Sequence, residues 1–211
     1  MAATPYRAVL FDFDGTLTKP DALDFAAVRN AMGCPLTSPI LEFIESLATE
    51  EERAKAHRIL DEFEQEAARA SVPNHGAEEV ILLLRKKGID RGIITRNSMA
   101  SIREALKNFP TLSATDFSVI LTRESAGRPK PHPDGVLEAA RLFGVPPGEM
   151  LVVGDFIFDI AAGKAAGAAA ALITNGHDAA ESWRGHIQTP LLAAPDFTIS
   201  SLIELKGILG L

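Results

Sequence analysis

Two aspartates, Asp12 and Asp14, flank Phe13 and are followed directly by Gly15 and Thr16. Paired carboxylates suit two tasks on a phosphate ester. Asp12 can attack phosphorus as a nucleophile. Asp14 can protonate the leaving oxygen and then activate water against the resulting aspartyl-phosphate. Both can face one site only if the extended backbone breaks beside them, and Gly15 supplies that break. A carboxylate approaching a phosphate dianion meets like-charge repulsion. The chemistry therefore calls for a hard divalent cation on oxygen ligands, with Mg²⁺ the expected one.

Three further segments supply complementary groups. In Gly154-Asp155-Phe156-Ile157-Phe158-Asp159, Asp155 is expected beside Asp12, sharing the cation, and Asp159 is expected one helical turn on, supporting the cation's waters or Lys130. In Thr95-Arg96-Asn97-Ser98, a hydroxyl followed by helix-opening N–H groups makes an anion cradle, with Arg96 and Asn97 as further phosphate contacts. Lys130 lies between two prolines in Arg128-Pro129-Lys130-Pro131-His132-Pro133. The prolines limit the backbone and aim a long cation inward, to neutralise the phosphate and Asp12 together. Alone, each segment is commonplace: a turn, a loop, a helix cap, a surface lysine. Order and placement give them weight, because a pattern such as Asp-x-Asp-Gly-Thr arises by chance only about once in 10⁵ positions and here its three companions follow in turn.

The elements that position these residues are legible as apolar runs. Strands are expected over Arg7–Phe13, Arg91–Thr95, Phe117–Leu121, Met150–Val153, Ala168–Ile173 and Asp196–Ile199. Helices are expected between them: Ala77–Lys87 ending at Gly88, Ser98–Asn108 opening on a serine cap, Pro133–Phe143 ending at Gly144, Phe158–Ala166 ending at Gly167, and Leu202–Leu209. Continuously apolar strands alternating with helices predict an α/β fold, a parallel sheet covered on both faces. Ligands of such sheets bind beyond the strands' carboxyl ends, where Asp12, Thr95, Lys130 and Asp155 are expected.

One stretch breaks the alternation. Asp21–Met32, Ile40–Leu47 and Glu50–Ala70 are all helical by pattern. This predicts a core of residues 1–17 and 73–211 and a small helical cap over 18–72, inserted after the first strand. The acidic run Glu50, Glu51, Glu52, Asp61, Glu62, Glu64 and Glu66 is expected on a solvated helix face.

Together, Asp12-Phe13-Asp14-Gly15-Thr16, Thr95, Lys130 and the Gly154–Asp159 segment resemble the haloacid dehalogenase superfamily over nearly the whole chain. With a helical cap just after the first motif, the chain looks like its phosphoglycolate phosphatase and β-phosphoglucomutase branch. The resemblance implies a Rossmann-like core. It implies Mg²⁺ bound by Asp12, by the Asp14 backbone carbonyl and by Asp155, with Gly15, Thr16 and Asp159 in support. It implies phosphate held by Thr95 and Lys130. An acid at position 14 fits the phosphotransferases of the superfamily, since its dehalogenases lack it and need no metal. Phe156 departs from the pattern, because relatives often carry a small residue after the acidic one. The activity implied is Mg²⁺-dependent hydrolysis of a small phosphomonoester, such as phosphoglycolate or a sugar phosphate. The alternatives are a phosphomutase and a non-catalytic binding protein on the same fold.

Bulk properties narrow the setting. The chain has 211 residues and a formal net charge of −7, which argues against nucleic acid or an anionic membrane as the main partner. Met1–Tyr6 lacks the basic and apolar regions of a signal peptide, and the longest apolar stretch, Ala165–Thr174, is too short to span a bilayer. A single cysteine, Cys34, excludes an intrachain disulfide and fits a reducing cytoplasm. It is expected as a small, partly buried residue. His57, His75, His132, His177 and His186 are expected in surface or capping roles, and Trp183 as a packing anchor. The partner expected is a small phosphorylated metabolite, and the default oligomeric state is monomer.

Overall fold

The computed structural model describes residues 5–125, 127–177 and 194–211; Trp183 and His186 lie outside them. Strands β1 (Ala8–Phe11), β2 (Asp90–Ile94), β3 (Val119–Leu121), β4 (Met150–Gly154), β5 (Ala169–Ile173) and β6 (Phe197–Ile199) form one sheet in the order β3-β2-β1-β4-β5-β6. Every pairing in it is parallel. Around it lie helices α4 (Ala77–Lys87), α5 (Met99–Ala105), α6 (Asp134–Phe143), α7 (Ile157–Ala166) and α8 (Leu205–Leu209). This is the helix-covered parallel sheet expected from the alternation, and the Rossmann-like core that the resemblance implies.

Side-chain alternation along the strands builds two cores. In β1, Val9 and Phe11 point to one face and pack with Val80, Ile81 and Leu84 of α4 and with Leu205 and Leu209 of α8. Ala8 and Leu10 point to the other face and pack with Val136, Ala139 and Ala140 of α6 and with Ala162 of α7. Gly88, Gly144 and Gly167 close α4, α6 and α7 in left-handed conformations, as their positions in the sequence suggest.

β5 and β6 each begin one residue later than predicted, and β1 and β3 are shorter by two residues or more, for identifiable reasons. β1 stops at Phe11 because Phe13–Leu17 wind into a wide turn, in which the Thr18 N–H donates to the Phe13 carbonyl at 3.0 Å. β3 starts only at Val119 because Phe117 ends a 3₁₀ turn over Ala114–Asp116.

Between β1 and α4 lie α1 (Phe25–Met32), α2 (Ile40–Ser46) and α3 (Glu50–Ala70). α1 begins later than the predicted Asp21. Asp21 has φ +68°, outside helical space, and the Asp24 side chain instead caps the Ala27 N–H at 2.9 Å. Thr49 and Glu52 form a reciprocal capping box that starts α3. The three helices share their own apolar cluster, with Val28, Ile44 and Leu60 at its centre and Cys34 buried in it. The chain leaves at Thr18 and returns at Pro73, where the two residues pair in a single antiparallel bridge.

The acidic face of α3 is not wholly solvated as predicted. Glu64 is 3% exposed and follows Ala56 and Leu60 on the stripe that faces inward. Its carboxylate accepts from Arg123 at 2.5 Å and from the Ser98 N–H at 3.1 Å. Arg123 also pairs with Asp61. Burial pushes Glu64 above the usual carboxylate range, with Arg123 opposing that shift. A charge this buried persists only when paired, and Arg123, just beyond the carboxyl end of β3, supplies the pair. The insert is thereby tied to the core on the side of Thr95.

Candidate active site

β1 lies between β2 and β4, so the chain reverses its direction of travel across the sheet at β1, and a crevice opens beyond the carboxyl ends there. Asp12 follows β1, Thr95 follows β2 and Asp155 follows β4. The register pairs Phe11 with both Ile93 and Val153, which sets Thr95 and Asp155 level with each other and one residue beyond Asp12. Asp12, Asp14, Thr95, Asn97, Lys130 and Asp155 all line one cavity of about 550 Å³.

Gly15 is what allows the acids to meet. Its φ is +69°, and a Cβ there would lie 2.1 Å from Asp155 Oδ2. The turn is clamped from two distant parts of the chain. Asn175 donates to the Gly15 carbonyl at 2.7 Å, and Asn74 donates to the Thr16 carbonyl at 2.9 Å and to Asn175 Oδ1 at 2.8 Å. Thr16 is buried and its hydroxyl approaches Asp155 Oδ1 at 3.5 Å. Gly15→Ala therefore combines a left-handed penalty with a clash against a fixed carboxylate. It is expected to destabilise the protein by about 2 kcal/mol or more. Chemical denaturation checks this, and an unchanged midpoint would contradict the reading of the turn.

Lys130 is 4% exposed, and three acceptors surround it. Its Nζ lies 2.5 Å from Asp12 Oδ1, 2.6 Å from Asp159 Oδ1 and 3.0 Å from the Ile94 carbonyl. Burial alone would lower its pKa, but the Asp12 and Asp159 carboxylates outweigh burial and hold the ammonium above its ordinary range. The other oxygen of Asp159 accepts the Phe156 N–H at 3.1 Å. Of the two expectations for Asp159, the geometry shows the contact with Lys130.

Asp12, Asp155 and Asp159 each offer an oxygen within 4.8 Å of the others. The donors are all hard oxygens, and the gap left by the missing Gly15 Cβ is what admits Asp155. Both features fit Mg²⁺. Burial raises Asp155 well above the carboxylate range, with the Asp12 and Asp159 charges adding to it. It lifts Asp159 to about 6, with Asp12 the next cause. So much crowded negative charge, beside one lysine, is what a divalent cation would relieve.

Asp14 points at the same cavity but in different company. Asn97 donates to its Oδ2 at 2.6 Å. Loss of solvent contact, then the Asp12 charge, pushes its pKa up to about 7, against the Asn97 hydrogen bond. A carboxyl so placed is driven towards its protonated form.

Thr95 is buried, and its Oγ1 accepts the Asn97 N–H at 3.1 Å. The structure turns Arg96 elsewhere than the sequence reading expected. It forms a bidentate pair with Glu42 of α2, donates to the Lys130 carbonyl and lies 5.3 Å over the Phe158 ring. The side chain of Asn97 likewise serves Asp14. The residues that sequence reading passed over are Asn74, Asn175, Glu64 and Arg123. Asn175-Gly176 follows β5 as a turn signal, but nothing local connects it with Gly15.

Comparison with known proteins is consistent with this geometry. A family model of haloacid dehalogenase-like hydrolases matches residues 6–167. An uncharacterised hydrolase of Saccharomyces cerevisiae is 39% identical over 94% of this chain and 88% of its own length. The N-acetylmuramic acid 6-phosphate phosphatase of Pseudomonas aeruginosa is 30% identical, covering 81% of this chain and 83% of the relative. The phosphoglycolate phosphatase of Shigella boydii is 28% identical over 88% and 68% respectively. Among the described residues no helix is long and apolar enough to cross a membrane.

Proposed function

Because the chain belongs to the haloacid dehalogenase-like hydrolases, we propose that it is a phosphatase that hydrolyses a small phosphomonoester through an aspartyl-phosphate on Asp12. The observation that carries this is the convergence of Asp12, Asp14, Thr95, Lys130 and Asp155 on one cavity at the carboxyl edge of the sheet. Phosphoglycolate and sugar phosphates are the size class, in keeping with the relatives named for N-acetylmuramic acid 6-phosphate and phosphoglycolate.

Asp12 forms the bond to phosphorus as the ester P–O bond breaks. Asp14 gives its proton to the departing alcohol oxygen. Water then attacks phosphorus, its proton passes to Asp14, and the Asp12–phosphorus bond breaks to release phosphate. Lys130 fixes the plane of Asp12 and neutralises charge as the phosphoryl group arrives. The Thr95 hydroxyl and the Arg96 N–H receive the phosphate oxygens. Mg²⁺, held by Asp12, Asp155 and the Asp14 carbonyl, would shield the attacking carboxylate from the phosphate's negative charge. Helices α1–α3 act as a cap that limits bulk water and selects the alcohol.

Purified protein with Mg²⁺ should release phosphate from members of a broad phosphomonoester panel. A chelator should abolish release, and added Mg²⁺ should restore it. No release from any ester with Mg²⁺ present would overturn the proposal.

A further inference from the structure

The cavity above the acidic floor is far larger than a phosphate needs. At about 550 Å³ it falls in the range of roughly 300–1,000 Å³ that encloses ligands of drug size. Its walls are mainly apolar. Leu23, Ile40 and Leu41 reach it from the apolar cluster of the insert. Phe156 and Phe158 face it from the core, edge to face with ring centroids 5.0 Å apart. At its rim, Phe25 is 55% exposed and Leu36 80% exposed, which leaves apolar surface open beside the cavity.

Four of the charged side chains along the walls are engaged elsewhere. Arg96 is paired with Glu42, and Glu64 with Arg123. Arg29 directs Nη1 at the Pro35 carbonyl at 2.8 Å and the Ser38 carbonyl at 2.5 Å. Lys130 is held by Asp12 and Asp159. Lys19, Asp21 and Thr37 also line the cavity, but a polyol or a short carboxylate would leave most of its apolar wall in contact with water.

We infer that the alcohol portion of the substrate carries an apolar or aromatic body several carbons long, seated between the Phe156–Phe158 pair and the Phe25–Leu36 rim. The inference rests on the phosphatase reading and narrows it. Phenylpropyl phosphate, glycerol 1-phosphate and phosphoglycolate test it, all three being esters of primary alcohols. With Mg²⁺, kcat/KM for phenylpropyl phosphate should exceed that for the other two by about tenfold or more, mostly through KM. In the double variant Phe25→Ser, Leu36→Ser, that ratio should fall at least about threefold. Both side chains are exposed, so a thermal melt should match that of the unaltered protein. A ratio at or below one, or a ratio unmoved in the double variant, overturns the inference and leaves the phosphatase reading standing. If none of the three esters releases phosphate while another member of the broad panel does, the inference falls and the phosphatase reading stands; if no ester of the panel releases phosphate, both fall.

Discussion

Replacing Asp12 by asparagine should remove turnover, by roughly four to six orders of magnitude in kcat, and leave the fold intact. The amide is isosteric but is not a nucleophile towards phosphorus, and no other carboxylate among the described residues sits where Asp12 does at the end of β1. The fold should survive because asparagine keeps the shape of the Asp12 side chain and its amide oxygen can still accept from Lys130. Its backbone N–H continues the sheet to the Val153 carbonyl at 2.8 Å whatever the side chain. Its charge also raises the pKa of Asp14, Asp155 and Asp159, so its loss relieves repulsion among them and partly offsets the weakened bond from Lys130. Phosphate release and chemical denaturation, run side by side, check both halves. A variant that unfolds would assign Asp12 a structural role. One that keeps substantial activity would remove it from the chemistry.

Replacing Lys130 by methionine should damage stability as well as catalysis. The substitution keeps the volume and removes the only cation among the described residues within bonding distance of Asp159, itself 1% exposed. Breaking a buried pair from one side costs about 3–5 kcal/mol, because the remaining charge stays buried without compensation. That loss should be visible as a lower denaturation midpoint in chelator. Adding Asp159→Asn should recover a good part of it, since the second substitution removes the stranded charge. A single variant within about 1 kcal/mol of the unaltered protein would contradict the geometry around Lys130. Catalysis should fail in the single and the double variant alike, because the charge that meets the phosphoryl group is missing from both.

How far the sequence discloses the molecule depends on how local the controlling physics is. The strands are apolar because a parallel sheet buries both faces, and its ligand groups gather at carboxyl ends. The positions of Asp12, Thr95 and Asp155 could therefore be placed before any coordinates. Helix ends at Gly88, Gly144 and Gly167 were equally local. Pairings across the chain were not. The Asn74–Asn175 clamp on the Gly15 turn joins residues 101 positions apart, and nothing near either one announces it. Arg96 stands beside Thr95 in sequence, yet its partner is Glu42 on the insert. Glu64 is the instructive case. Its charge suggested a solvated face, but its spacing from Ala56 and Leu60 placed it on the inward stripe of α3, and in this case spacing was the better guide. The acidic head finds its partner in Arg123, which the sequence shows only as a strand-end arginine.

The most direct test is to catch the phosphoryl group on the protein. Asp14→Asn protein, mixed with Mg²⁺ and p-nitrophenyl phosphate, whose leaving group needs no proton, can be quenched in acid during turnover. Its peptides can then be mapped by mass spectrometry. The expected result is a hydroxylamine-labile phosphoryl group on Asp12. Phosphate released with no phosphoryl group on the protein, or one carried by any other residue, would contradict it.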